Sequence, residues 1–230
     1  MRTPGAVATY FDDVRPDTAI LLFSRTAAAE ARAKAFGPRG GRVAAALLGR
    51  TERTLARTGL PVYRSSEQEQ RGTDFGSKLA LAVAGVLTRG YHKVIIVGND
   101  CPTLSVGAIR HARQALESGR PVIGPDARGG VWLLGLRRED IATLALSALP
   151  WQTPTLAITL LDRLPGAQRL GVRRDYNRLA ELLAHASHLR PRLSDLMVLL
   201  LEGTTPATGS RLLACRAVRT LPALRGPPRG

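Results

Sequence analysis

Lys93-Val-Ile-Ile-Val-Gly-Asn-Asp-Cys-Pro-Thr-Leu104 is the stretch on which the reading of this chain turns. Four β-branched residues in a row, Val94 to Val97, make it the clearest strand in the sequence. The run is continuously apolar rather than alternating, which predicts a strand buried on both faces, as in a parallel sheet covered by helices. Gly98 ends the run and a helix is predicted to start near Ser105, so Asp100 falls in the turn between them. In open parallel sheets ligands bind beyond the carboxyl ends of the strands, where loops and helix N-termini converge. A carboxylate there suits a hard divalent cation bridging a diphosphate. It equally suits a residue that caps a turn or a helix, and spacing alone favours the cap.

Working outward, Thr18-Ala-Ile-Leu-Leu-Phe-Ser24 is a second buried strand, followed by a basic, glycine-containing stretch from Arg25 to Arg42. Val43 to Arg57 reads as a helix, Pro61 to Arg64 as a strand and Ser65 to Gly72 as a loop. Thr73 or Asp74 can cap the next helix, whose Phe75, Leu79, Ala82 and Val86 form one apolar stripe before Gly90 ends it. Further on, Pro121 to Gly124 and Val131 to Leu136 read as strands flanking Pro125-Asp-Ala-Arg-Gly-Gly130. Helices are expected over Arg138 to Leu149, after Pro154 to about Leu164, and over Tyr176 to Leu189, with a strand at Gln168 to Val172. Strands alternating with helices predict an α/β fold with a mostly parallel central sheet and helices on both faces. Residues 1–202 are expected to form one domain. From 203 to 230 the chain has five arginines, four prolines and no acid, which reads as a mobile basic tail.

Composition narrows the function classes. With 44% hydrophobic and 22% charged residues over 230 positions, the chain can bury a core. Its net charge of +15 invites a nucleic-acid reading, but the charge is scattered, and only Lys34, Lys78 and Lys93 among the 33 basic residues are lysine. At 4% aromatic there are few platforms on which bases could stack, so nucleic acid is disfavoured as a partner. Cys101 and Cys215 are too few for a disulfide scaffold or a zinc site, and no run approaches a membrane span. The expected compartment is cytoplasmic. No Gly-x-Ser-x-Gly elbow, Walker loop or Gly-x-Gly-x-x-Gly fingerprint occurs. His185 and His188 lie three apart without the ligands that would complete a metal site. Cys101, beside Asp100, reads as structural rather than as a nucleophile.

Four blocks in order carry a family resemblance: Thr73 to Leu79, Gly98 to Leu104, Gly124 to Leu136, and Pro150-Trp-Gln-Thr-Pro-Thr155. Together they resemble the bacterial glycosyltransferase-like family of the radical-SAM- or arsenosugar-associated transferase type, over about Thr18 to Leu182. The resemblance implies the Rossmann-like GT-A nucleotide-diphospho-sugar transferase fold. It makes Asp100 a metal or nucleotide contact, and places Phe23, Ser24, Arg25, Lys34 and Asn99 near the base and phosphates. Gly129 and Gly130 would let the backbone approach the ligand, and Trp151, Thr153 and Thr155 would border the acceptor. Trp151 as core and the two glycines as a tight turn are the plainer alternatives.

Two departures stand out. Arg128 occupies the position of an acid that the family usually has before the two glycines, with Asp126 the nearest carboxylate. Asp175-Tyr-Asn177 replaces two alternating aspartates. Either Mn²⁺ or Mg²⁺ is held by Asp100 with Asp126 or Asp175, or Arg128 pairs directly with the diphosphate, so that Asp100, Arg128 and Asp175 are the candidate catalytic residues. The implied function is transfer of a glycosyl group from a nucleoside-diphosphate sugar to a small acceptor. A nucleotidyltransferase acting on a nucleoside triphosphate and a non-catalytic nucleotide-binding protein are the alternatives.

Overall fold

The computed structural model describes residues 16–34 and 36–185. The tail from residue 203, Cys215 and His188 lie outside the described residues.

Six strands form one sheet: β1 (Thr18–Phe23), β2 (Val62–Ser65), β3 (Lys93–Val97), β4 (Val122–Pro125), β5 (Val131–Arg137) and β6 (Gln168–Arg169), in the order β2-β1-β3-β5-β4-β6. β1 pairs in parallel with β2 and β3, and β4 with β6, whereas β5 runs antiparallel to both of its neighbours. The sheet is therefore mostly parallel, as expected, with one strand reversed. A five-residue connection from β4 to β5 is too short for a parallel crossover, which takes a dozen residues or more, so it closes a hairpin.

Seven helices are described: α1 (Ala27–Ala33), α2 (Gly40–Ala56), α3 (Phe75–Leu87), α4 (Val106–Glu117), α5 (Arg138–Leu144), α6 (Leu156–Arg163) and α7 (Leu179–Ala184). They cover both faces. Ala19, Leu21, Val94, Ile96, Leu134 and Leu136 turn toward a layer that includes Leu79, Val83 and Val86 of α3 and Leu160 of α6. Ile20, Leu22, Ile95, Val97 and Leu133 turn the other way, against Leu48 and Leu55 of α2 and Ile109 and Leu116 of α4. This is why the central strands read as unbroken apolar runs, since both sets of alternate residues need a dry partner. Burying each of the valine, leucine and isoleucine side chains contributes about 1.5–3 kcal/mol.

Local chemistry sets the helix starts. Asp74 caps α3 by accepting from the Ser77 N–H at 2.8 Å, while the Ser77 hydroxyl accepts from the Asp74 N–H at 3.1 Å. Ser105 caps α4. The stretch from Arg25 differs from its reading as a basic, glycine-containing stretch without secondary structure: Ala27 to Ala33 is a helix capped by Thr26. The helix expected over Arg138 to Leu149 breaks at Ala145, which adopts a left-handed conformation (φ 48°), and resumes as a 3-10 turn. The strand expected over Gln168 to Val172 pairs regularly for only two residues, yet Leu170 donates to Ile123 and Arg173 to Pro125, so the segment follows β4 to its end.

Candidate active site

The carboxyl ends of β1 and β3, the β4–β5 turn and the segment from Asp175 to Arg178 enclose a cleft of about 1090 Å³. Of the residues expected at the site, Phe23, Ser24, Arg25, Lys34, Asn99, Asp100, Asp126, Arg128, Gly130, Trp151, Thr153 and Asp175 all line it. Gly129 and Thr155 do not.

At the end of β1, Phe23 packs edge-on against Phe75, with ring centroids 5.4 Å apart. Ser24 is buried, and its hydroxyl has no hydrogen-bond partner. Arg25 is exposed at the rim. Asn99 is buried on the β3 side.

Asp100 is not turned to open solvent alone. Its Oδ1 pairs with the ammonium of Lys34, which also meets Glu30 Oε1 at 2.5 Å and the Tyr176 carbonyl at 3.5 Å. The Lys34 and Glu30 side chains are 8% and 5% exposed, against 35% for Asp100. Burial, with Asp100 adding to it, pushes the Glu30 carboxyl up against the pull of Lys34. Lys34 was expected to contact phosphate, but here it is engaged by protein oxygens.

On the opposite wall, Asp126 Oδ1 accepts from the Arg128 N–H. The Arg128 guanidinium, 43% exposed, reaches across to the Asp175 carbonyl at 3.0 Å and to Glu181 Oε1 at 3.4 Å. Glu181 in turn accepts from the backbone N–H groups of Asn177 and Arg178 and caps α7. Arg128 thus ties the β4–β5 turn to the segment that carries Asp175. Burial, reinforced by the charges of Asp100 and Asp126, pushes the Asp175 carboxyl up to about 7. Its Oδ1 is buried without a partner.

The two glycines make room for the chain itself. A Cβ on Gly129 (φ 87°) would lie 1.9 Å from the Pro154 carbonyl oxygen, and one on Gly130 would lie 2.7 Å from Asp126 Oδ2. Trp151 is part of the packed wall: its indole N–H donates to the Leu146 carbonyl at 2.6 Å and its ring lies 5.4 Å from Phe75. The Thr153 hydroxyl donates to the Pro150 carbonyl and accepts from the Thr155 hydroxyl at 2.9 Å. Burial pushes the Cys101 thiol up, and the charge of Asp175 adds to it. His185 stacks edge-on against Tyr176 at 5.7 Å.

Two residues of the site escape a reading of the sequence. Glu30 lines the cleft from α1; its signal was the i,i+4 spacing to Lys34 inside an alanine-rich run behind Thr26. Glu67 accepts from both the N–H and the hydroxyl of Thr26, joining the loops after β1 and β2. It had no local signal, because its partner lies 41 residues away.

These donors do not fit a divalent ion as they stand. Mg²⁺ and Mn²⁺ need several converging oxygens. Asp100 offers one of its oxygens to an ammonium and Asp126 turns one to a backbone N–H. Among the described residues no group of three or more His, Cys, Asp or Glu side chains is arranged to hold a metal. Among the same residues, no helix is long and apolar enough to cross a membrane.

A family model described as "Uncharacterized protein conserved in bacteria (DUF2064)" matches residues 33–153. Comparison with curated proteins gives no match. Among solved structures, a "putative nucleotide-diphospho-sugar transferase" from Desulfovibrio desulfuricans superposes with a TM-score of 0.61 at 17% identity, over 81% of this chain and 97% of that one. The chain has that fold. A homologue of Mycobacterium tuberculosis Rv0371c from another Mycobacterium strain matches at 14% identity over 81% of this chain and 100% of that one. Its TM-score of 0.48 is too low to add to the fold assignment.

Proposed function

The chain belongs to the DUF2064 family, and on that footing we propose that its cleft binds a nucleoside-diphosphate sugar and transfers the glycosyl group to a small acceptor. The observation that carries this reading is the pair of polar atoms left without protein partners, Ser24 Oγ and Asp175 Oδ1, in a cleft that also presents Arg25 and Arg128. Buried polar atoms are rarely left unsatisfied in native proteins, and each costs about 1–3 kcal/mol when they are. A ligand rich in hydroxyl and phosphoryl oxygens would satisfy both and neutralise the arginines.

In this reading Asp175 takes the proton of the acceptor hydroxyl, a task suited to a carboxyl that titrates near neutrality. The acceptor oxygen forms a bond to the anomeric carbon. The bond from that carbon to the diphosphate oxygen breaks, and its electron pair leaves with the nucleoside diphosphate. Arg25 and Arg128 offset the charge that gathers on the leaving group, and Asn99 and Ser24 orient the nucleotide. Trp151 and Thr153 border the acceptor side.

A thermal-shift panel of nucleoside diphosphates, triphosphates and nucleotide sugars tests it. Stabilisation by a nucleoside diphosphate and its sugar is the expected result. A response to triphosphates alone would replace the reading with nucleotidyl transfer, and no response to any nucleotide would remove it.

A further inference from the structure

We propose that the Lys34 ammonium is the resident cation of this cleft, held between Glu30 and Asp100 at the end of β3 in the place a divalent ion would need. An ammonium has three N–H donors and no acceptor. Lys34 has three oxygens around it: Glu30 Oε1, Asp100 Oδ1 and the Tyr176 carbonyl. Its donors are therefore fully used, in a side chain that is 8% exposed. A buried charge is costly unless it is paired and hydrogen-bonded, and this one is both.

The position is built rather than incidental. Thr26 caps α1, and one further turn of helix sets Glu30 and Lys34 four residues apart on the same side. Lys34 ends the helix in an extended conformation, and Phe36 behind it is buried with Val43, Leu47 and Tyr176. Tyr176 is fixed in turn by donating its N–H to the Asp100 carbonyl at 3.1 Å. Three separate segments thus converge on one ammonium.

A cation delivered by a side chain differs from a dissociable ion in two respects. No chelator removes it, and it brings one charge against two carboxylates, leaving the pair net negative. A divalent ion entering the same place would meet the ammonium as a like charge and compete for the same oxygens. The wild-type protein should accordingly bind Mn²⁺ poorly, and removing the ammonium should create the site. This inference concerns the ligand-free protein and stands apart from the nucleotide reading.

Titration of Mn²⁺ into the full chain after dialysis against EDTA tests it, followed by calorimetry and by the loss of the free-ion electron paramagnetic resonance signal. Wild type should bind no tighter than the millimolar range. K34M should bind at least tenfold tighter, and adding D100N should abolish the gain. K34Q provides a second variant should K34M fold poorly, because its amide can still donate to Glu30 or Asp100. It should show the same gain. Wild type binding Mn²⁺ as tightly as the Lys34 variants, or no gain in either variant, would overturn the proposal.

Discussion

Glu67 grips Thr26 twice, with Oε2 accepting from its backbone N–H at 2.6 Å and Oε1 from its hydroxyl at 2.5 Å. Thr26 is the residue that caps α1, so a carboxylate in the loop after β2 fixes the start of the helix that carries Glu30 and Lys34. The Thr26 hydroxyl hydrogen bond, helped by its N–H, holds the Glu67 carboxyl below its ordinary range. A depressed carboxyl contributes stability above its unfolded value and loses it as pH falls through the folded one. E67Q should therefore cost about 1 kcal/mol at pH 7. Denaturant melts of the two proteins should converge in acid once the folded carboxyl is protonated, and a gap that persists at the acid end would show that the carboxylate charge is not what matters.

Asp175 works in the opposite sense. Its carboxyl is pushed up to about 7 from an unfolded value of 3.8, so the folded protein binds this proton more tightly than the unfolded chain does. Stability is then lost as pH rises between those two values. D175N abolishes the titration and, in EDTA, should be more stable than wild type at pH 8 by on the order of 1–4 kcal/mol. Below pH 4 the difference should close. Under the proposed function the same variant loses transferase activity, whereas equal stability at pH 8 would refute the account of Asp175.

Gly129 and Gly107 make a contrasting pair. G129A forces a Cβ to within 1.9 Å of the Pro154 carbonyl oxygen at a φ of 87°, whereas nothing lies within 4 Å of a Cβ on Gly107. The first should lose several kcal/mol, on the order of 3 or more, or fail to fold. G107A, in the first turn of α4, should be neutral or gain up to about 1 kcal/mol. Thermal melts of both variants check the pair, and a G129A protein that melts with wild type would mean that the turn is free to move away from Pro154.

R128A should release the tie between the β4–β5 turn and the Asp175 segment. The pair with Glu181 is partly exposed and worth at most about 1 kcal/mol. The hydrogen bond to the Asp175 carbonyl is the more directional contact. Backbone hydrogen exchange should rise over residues 175–181 with little loss of global stability. Unchanged exchange there would mean that α7 is held by Tyr176, Leu179 and Leu182 in the apolar cluster against α1 and α2.

The central strands were legible because a doubly covered sheet leaves no exposed face to interrupt the apolar run. Val94 to Val97 and Ala19 to Phe23 say as much in sequence as in structure. The starts of α3, at Thr73 or Asp74, and of α4, near Ser105, were legible because capping is local chemistry, and the structure gives the caps to Asp74 and Ser105. Helix α1 was hidden because Ala27 to Ala33 shows no apolar stripe, and its burial comes from contact with α2 and α7, which no local pattern records. The reversal of β5 was available in principle from the five-residue connection before it. Most of the residues singled out in the sequence line one cleft, with Gly129 and Thr155 outside it, and the ordered blocks rather than the strand ends alone brought Lys34, Trp151, Thr153 and Asp175 into that reading. Their pairings were not legible as a set: the i,i+4 spacing hints at Glu30 with Lys34, but Lys34 and Asp100 are 66 residues apart and no local pattern joins them.

The one antiparallel strand gives the site an adjustable edge. Because β5 returns directly from β4, Asp126, Arg128 and Gly130 all sit at the tip of a hairpin. The other charged wall is carried by α1 and by the turn between β3 and α4. The five-residue hairpin loop is closed by the Asp126 N–H donating to the Gly130 carbonyl, and its exposed position 128 can change side chain where the two glycines beside it cannot. Acid can become arginine there without a change in any strand's register. Within this framework the electrostatic character of the cleft is a local variable, open to being rewritten by a single codon while the scaffold stays as it is.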